Sequence, residues 1–152
     1  SENIVEKILQ EAVANKCKIF IPEDCFVSKS FDGEAVLKNV QSIEKDEIIL
    51  DIGPKTVKNI EEIIDNSNTI MWNGPAGYFE SKNFASGTEA IAKKISENTK
   101  NNSLISVLGG GDTVSAINKS GLDLYFTHLS TAGGAFLEYL EGKDLPGLSV
   151  LK

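Results

Sequence analysis

Arginine is absent from this chain. All fifteen basic residues among its 152 are lysines, set against 22 acids, and the net charge is −7 at pH 7. Arginine forks are the usual clamp for a small phosphorylated substrate, so this chain offers no obvious clamp of that kind. Its acidic balance argues against nucleic acid and anionic membrane as partners. Histidine occurs once, as His128 in a strand-like stretch, where it reads as structural. Cys17 and Cys25 are the two cysteines. They have neither metal nor redox spacing and read as buried free thiols. Nothing resembles a signal peptide or a membrane span, and a reducing, cytoplasmic setting is the expectation. The composition that remains, 41% hydrophobic and 24% charged, is enough for one domain with a real core.

Short apolar runs alternate with helical patterns along the chain. Ile4, Val5, Ile8, Leu9 and Ala12 share one helical face. Lys18 to Ile21, closed by Pro22, reads as a first buried strand. Two β-prone runs flank Asp32-Gly33, a hairpin signal. Ile48 to Asp51 is a second buried run, broken by Gly53-Pro54, and Pro54 suits the first turn of a helix carrying Val57, Ile60 and Ile64. Thr69 to Trp72 is a third run, followed by a helical face of Phe84, Ile91 and Ile95. Leu104 to Leu108 and Tyr125 to Leu129 are the fourth and fifth runs, each followed by a helix. This order predicts an α/β fold: a three-layer, mainly parallel, Rossmann-like sheet with helices on both faces.

The most informative stretch is Val107-Leu108-Gly109-Gly110-Gly111-Asp112-Thr113. A strand stops at three glycines and a helix begins. Glycine lets the chain bend and an anion approach, and the helix start adds unpaired N–H donors. Asp112 repels a bare phosphate but suits a Mg²⁺ travelling with one. No lysine follows the glycines, so this is not the GxxxxGKS/T loop, nor is it GxGxxG. In parallel sheets ligands sit at the carboxyl ends of the strands. That rule places Asn73 to Glu80, Gly109 to Thr113 and Ser130 to Gly134 on one edge, a candidate nucleotide or phosphate site.

These turns resemble those of the phosphoglycerate kinase family. Trp72 to Glu80 resembles its WNGPxGxFE segment, and Phe84 to Thr88 its FAxGT. Gly109 to Thr113 is similar to GGGDT, His128 to Ala135 to HxSTGGGA, and Leu137 to Gly147 to LELLEGKxLPG. Leu50 to Pro54 matches LDIGP, and the likeness runs over about residues 18 to 152. Two departures stand out: Ala132 replaces a usual glycine, and Ile48-Ile49 replaces a usual Met-Gly pair. The resemblance implies residues 1–152 as an incomplete C-terminal nucleotide-binding domain, without the N-terminal substrate domain. It implies a phosphotransferase of glycolysis, acting reversibly between ATP and 3-phosphoglycerate, with Mg²⁺ accompanying ATP or ADP. The parent enzyme is expected to be a monomer, and this chain alone inactive. The competing expectation is a non-catalytic nucleotide-binding or interaction module on the same fold.

By the same resemblance, Glu80 accepts hydrogen bonds from the ribose hydroxyls; without it, Glu80 reads as a solvated acid. Asn73 reaches the nucleotide or merely forms a turn beside Gly74. Asp112 holds Mg²⁺ or caps a helix, and Thr113 bonds a phosphate oxygen or only starts that helix. Gly109, Gly110, Gly111, Gly133 and Gly134 are expected to stabilise the transferring group by backbone N–H donation. For Gly133 and Gly134 the alternative is close helix–strand packing. Trp72 and Phe79 read as core, Lys55 and Lys119 as solvated.

Overall fold

The structure, a computed structural model, describes residues 2–150. Helix α1 (Glu2–Ala14) is followed by a hairpin, β1 (Asp24–Ser28) and β2 (Val36–Asn39). Next come β3 (Ile48–Ile52), α2 (Pro54–Asp65), β4 (Thr69–Asn73) and α3 (Ser86–Lys100). The remainder is β5 (Ile105–Gly109), α4 (Gly111–Ser120), β6 (His128–Ser130), α5 (Gly133–Leu140) and α6 (Pro146–Ser149). The strands form two sheets of three: antiparallel in the order β2-β1-β3, and parallel in the order β4-β5-β6.

The α/β class with a helix-flanked parallel sheet is as expected; its strand membership is not. Lys18 to Ile21 forms no strand and is largely exposed. A run becomes a strand only where a neighbour takes its backbone groups, and none does so here. Ile48 to Asp51 is a strand, but it pairs antiparallel with β1. Only the end of the Tyr125 to Leu129 run reaches the ladder. Upstream, side-chain hydroxyls replace the ladder: Tyr125 N–H donates to Ser96 Oγ, and Thr127 N–H to Ser106 Oγ. Phe84 precedes α3, in a 3₁₀ turn, and is fully buried there. Cys25 is buried as expected, whereas Cys17 is exposed.

Leu108, on one face of β5, packs with Ile64 of α2, Ile91 and Ile95 of α3, Ile117 of α4, and Phe126. This is the main core. The opposite face of β5 meets α5, since a Cβ on Gly109 would contact the Phe136 ring at 3.3 Å. That cover is partial: on the same face Met71 is 45% exposed and Ile105 55%. The register aligns Asn73 with Gly109 and Gly109 with Ser130, so three strands end in one row. No helix among the described residues is long and apolar enough to cross a membrane.

Candidate functional site

The row of strand ends is where the site is built. After β5 the chain turns at Gly110, with φ 99° and ψ 135°. Side chains rarely adopt that φ, so glycine is required. Gly110 N–H donates to Ser130 O at 3.0 Å, tying the turn after β5 to the end of β6. The two turns then touch backbone to backbone: a Cβ on Gly133 would lie 2.6 Å from Gly110 Cα. Asn73 adjoins both, its Oδ1 lying 2.6 Å from the Cβ position of Gly110 and 3.4 Å from that of Gly133. Ends far apart in sequence therefore meet, with Asn73 between the two turns.

Helices α4 and α5 start side by side as a result. In α4 the first main-chain bond from the helix runs from Val114 N–H to Gly110 O, and no side chain caps Gly110. The N–H groups of Gly111, Asp112 and Thr113 have no hydrogen-bond partner among the described residues. In α5 the matching bond is Phe136 N–H to Ala132 O, and no side chain caps Ala132. Gly133, Gly134 and Ala135 supply a second set. Two uncapped N-termini, each the positive end of a helix dipole, suit an anion with several oxygens. Added Cβ atoms on Gly111 and Gly134 would meet nothing within 4 Å, so both face open space.

Some expected contributions differ. Gly110 cannot donate to a ligand, because its N–H is engaged by Ser130; it acts through shape. Gly109 closes β5 against Phe136. Thr113 is fully buried, and its hydroxyl does not face the rim. That hydroxyl accepts from Gly74 N–H at 2.7 Å and donates to Gly109 O at 2.9 Å, stapling the turn after β4 to β5. Thr113 presents a backbone N–H instead. Asp112 is exposed in the first turn of α4 and forms no ion pair among the described residues. Among the described residues no three metal-ligating side chains cluster, so a cation at Asp112 would take its other ligands from outside the chain.

Glu80 stands apart from the glycine rim. It is exposed and lines a cavity of about 610 Å³ with Phe79, Lys82, Thr88, Glu89 and Lys119, between α3 and α4. Lys119 lies with its ammonium 5.0 Å from the centre of the Phe79 ring, a cation–π contact rather than free solvation. Lys55 pairs with Glu23 at the surface.

The turn leading to Glu80 is held firmly. Tyr78 N–H donates to Leu50 O at 2.7 Å, and the N–H groups of Ala76 and Gly77 share Thr88 Oγ1 at 3.0 and 3.3 Å. Asp51 lies beneath this turn; burial pushes its carboxyl above the ordinary range, against hydrogen bonds from Gly87, Ile52 and Ser86 that pull it down. Sequence reasoning missed the consequence. Tyr78 faces Phe31, ring centres 5.1 Å apart, and the pair borders a slot of about 300 Å³ with Ile49, Leu50, Pro75 and Gly77. Phe31 sits in the hairpin loop, and no periodicity connects it to Tyr78.

The family model for phosphoglycerate kinase matches residues 1–143. Phosphoglycerate kinase of Mesorhizobium japonicum is 48% identical over 149 residues, covering 97% of this chain and 37% of that protein. The enzyme of Wolbachia pipientis from Culex pipiens is 46% identical over 149 residues, covering 97% and 38%. The structure of phosphoglycerate kinase from Coxiella burnetii superposes with a TM-score of 0.87 at 35% identity, covering 98% of this chain and 38% of that one. That from Pyrococcus horikoshii gives 0.75 at 33% identity, covering 99% and 38%. The chain thus spans a little over a third of the length of these relatives. With motifs, fold and glycine rim in agreement, the chain belongs to the phosphoglycerate kinase family.

Proposed function

We propose that this chain supplies the nucleotide-binding part of a phosphoglycerate kinase, as a partial C-terminal domain over residues 1–152. The parent reaction is reversible phosphoryl transfer between ATP and 3-phosphoglycerate, giving 1,3-bisphosphoglycerate and ADP. The observation that carries this reading is the pair of uncapped helix starts at the shared row of strand ends, with Gly110 and Gly133 in backbone contact. Free N–H groups of Gly111, Asp112, Thr113, Gly133 and Gly134 would hold and orient the phosphates. Gly109 and Gly110 would contribute the close approach that side chains would block. Phosphoryl transfer is catalysed mainly by positioning and by stabilising spread negative charge, which fixed amide donors do without reorganising. Asn73 would orient the chain of phosphates from beside both turns.

Asp112 fits a Mg²⁺ carried by the nucleotide, because its carboxylate is exposed, has no ion-pair partner among the described residues and adjoins free amides. The cation would supply charge neutralisation between the phosphates. The slot beside Phe31 and Tyr78 suits a planar base, and Glu80, two residues beyond Tyr78 and outside that slot, would take the ribose hydroxyls. Phosphoglycerate, an anion, would be held mainly by cations outside this sequence, consistent with its lack of arginine. A cytoplasmic, monomeric parent completes the proposal.

Calorimetric titration with MgADP tests the site. Saturable heat at millimolar nucleotide is expected from the chain alone, and none at that concentration rejects the nucleotide reading. Turnover is not expected from the chain alone, because closing around both substrates requires the acceptor side. A coupled assay showing turnover would overturn that part.

A further inference from the structure

Asp51 is the most deeply buried charged residue among the described residues, at 1% exposure. No step above uses it. Its Oδ1 accepts Ile52 N–H at 2.9 Å; its Oδ2 accepts Gly87 N–H at 2.8 Å and the Ser86 hydroxyl at 3.1 Å. The carboxylate belongs to β3, and two of its three donors belong to the first turn of α3. Gly77 and Gly87 frame it so closely that a Cβ on either would run into the carboxyl group. Immediately alongside, Leu50 O takes Tyr78 N–H, and Thr88 takes Ala76 and Gly77. Residues 76–78 are therefore gripped by β3 on one side and by α3 on the other. The glycine rim is built separately, by the Thr113 staple and the Gly110–Ser130 bond.

We propose that Asp51 is a positioning residue for the nucleoside half of the site: its carboxylate latches the antiparallel sheet to the start of α3. That latch fixes the turn carrying Tyr78 and leading to Glu80. The inference rests on the nucleotide reading above. A charge at this depth is costly to bury, and packing alone would be served as well by a neutral side chain. Three donors converging on two oxygens explain why a carboxylate is used, since an amide would turn N–H groups toward N–H groups.

The test is Asp51→Asn, with Ser86→Ala as a milder variant that removes only one donor and leaves a surface position. Two ligands separate the halves of the site: MgADP, and magnesium pyrophosphate, which has no nucleoside. Asp51→Asn should weaken MgADP about tenfold, the loss expected when one charge-assisted bond is broken, and leave pyrophosphate unchanged. Amide exchange should quicken at Gly77, Tyr78 and Gly87 and stay constant at Gly110 and Val114. Ser86→Ala should move the same quantities in the same direction by less. Asp24→Asn, a helix-capping control, should shift stability without altering the ADP-to-pyrophosphate ratio. Equal weakening of both ligands, or unchanged exchange at the turn in Ser86→Ala, overturns the latch. If the wild-type chain binds neither ligand, the nucleotide reading fails, and the exchange pattern still decides whether Asp51 holds the turn.

Discussion

Gly133 and Gly134 are neighbours at the start of α5 with opposite surroundings. A Cβ on Gly133 would lie 2.6 Å from Gly110 Cα and 2.9 Å from its nitrogen, both backbone atoms that cannot swing aside. On Gly134 it would meet nothing within 4 Å. Gly133→Ala should therefore destabilise the chain by about 1–3 kcal/mol, the usual range for overpacking. Gly134→Ala should be neutral or stabilising by about 0.5 kcal/mol, since alanine restricts the unfolded chain and suits a helix. Urea unfolding of the two variants checks the pair. Thr113 gives a companion case. Thr113→Val leaves Gly74 N–H facing a methyl group, and a loss of about 1–3 kcal/mol is expected, whereas Thr113→Ser retains the hydroxyl and most of the stability. A larger loss in Thr113→Ser than in Thr113→Val would show that the methyl group, not the staple, matters. At this scale the sequence discloses that Gly109 to Thr113 is a turn before a helix. It does not disclose which amide is already taken. Gly110 N–H and the Thr113 hydroxyl find partners in β6 and in the turn after β4, and such partners are assigned only when distant strands align.

Helix α2 begins at Gly53, which has no side chain with which to cap it. Asp24 of β1 does so from outside. Its carboxylate accepts Lys55 N–H at 3.0 Å, Thr56 N–H at 2.8 Å and the Thr56 hydroxyl at 2.6 Å. Burial pushes the Asp24 carboxyl upward, but the Thr56 and Lys55 hydrogen bonds outweigh it and hold the group below its ordinary range. The sign follows from proton linkage. A depressed carboxyl contributes stability in full above its unfolded value, about 3.9, and loses it as pH falls through the lower folded value. Asp24→Asn should lower stability near neutrality by about 0.5–2 kcal/mol, as for loss of an N-cap. It should also flatten the decline on the acid side, measured as Tm against pH. A variant whose acid limb is as steep as wild type would place that dependence elsewhere. Elements themselves were largely readable, because the period of Val57, Ile60 and Ile64 and the break at Gly53-Pro54 are local signals. Pairing was not. An apolar run such as Ile48 to Asp51 looks the same whether its neighbour is parallel or antiparallel, and the capping link from Asp24 to Thr56 spans 32 residues.

The chain exposes 10167 Å². Surface scaling for a compact monomer of 16.4 kDa gives about 7,500 Å², roughly a quarter less. Part of the difference is apolar and sits in identifiable places. Ile4, Val5, Ile8 and Leu9 of α1 are 48–66% exposed, although their spacing marks a face that buries. Met71 and Ile105 open one face of a parallel sheet, a kind of sheet normally covered on both sides. Contiguous apolar surface of this kind binds hydrophobic dyes and promotes association. The chain should therefore enhance ANS fluorescence while retaining native near-UV circular dichroism, which separates exposed folded surface from a molten state. Ile8→Glu should reduce that fluorescence and change stability by no more than about 0.5 kcal/mol, because the side chain is not part of the described core. Ile95→Ala, in the centre of the core at 1% exposure, should cost about 2–5 kcal/mol. If Ile8→Glu proved as damaging as Ile95→Ala, the α1 stripe would be covered in solution, either by the body of the chain or by a second copy. Sedimentation of the wild-type chain across a concentration series would then tell those two covers apart, since only the second depends on concentration.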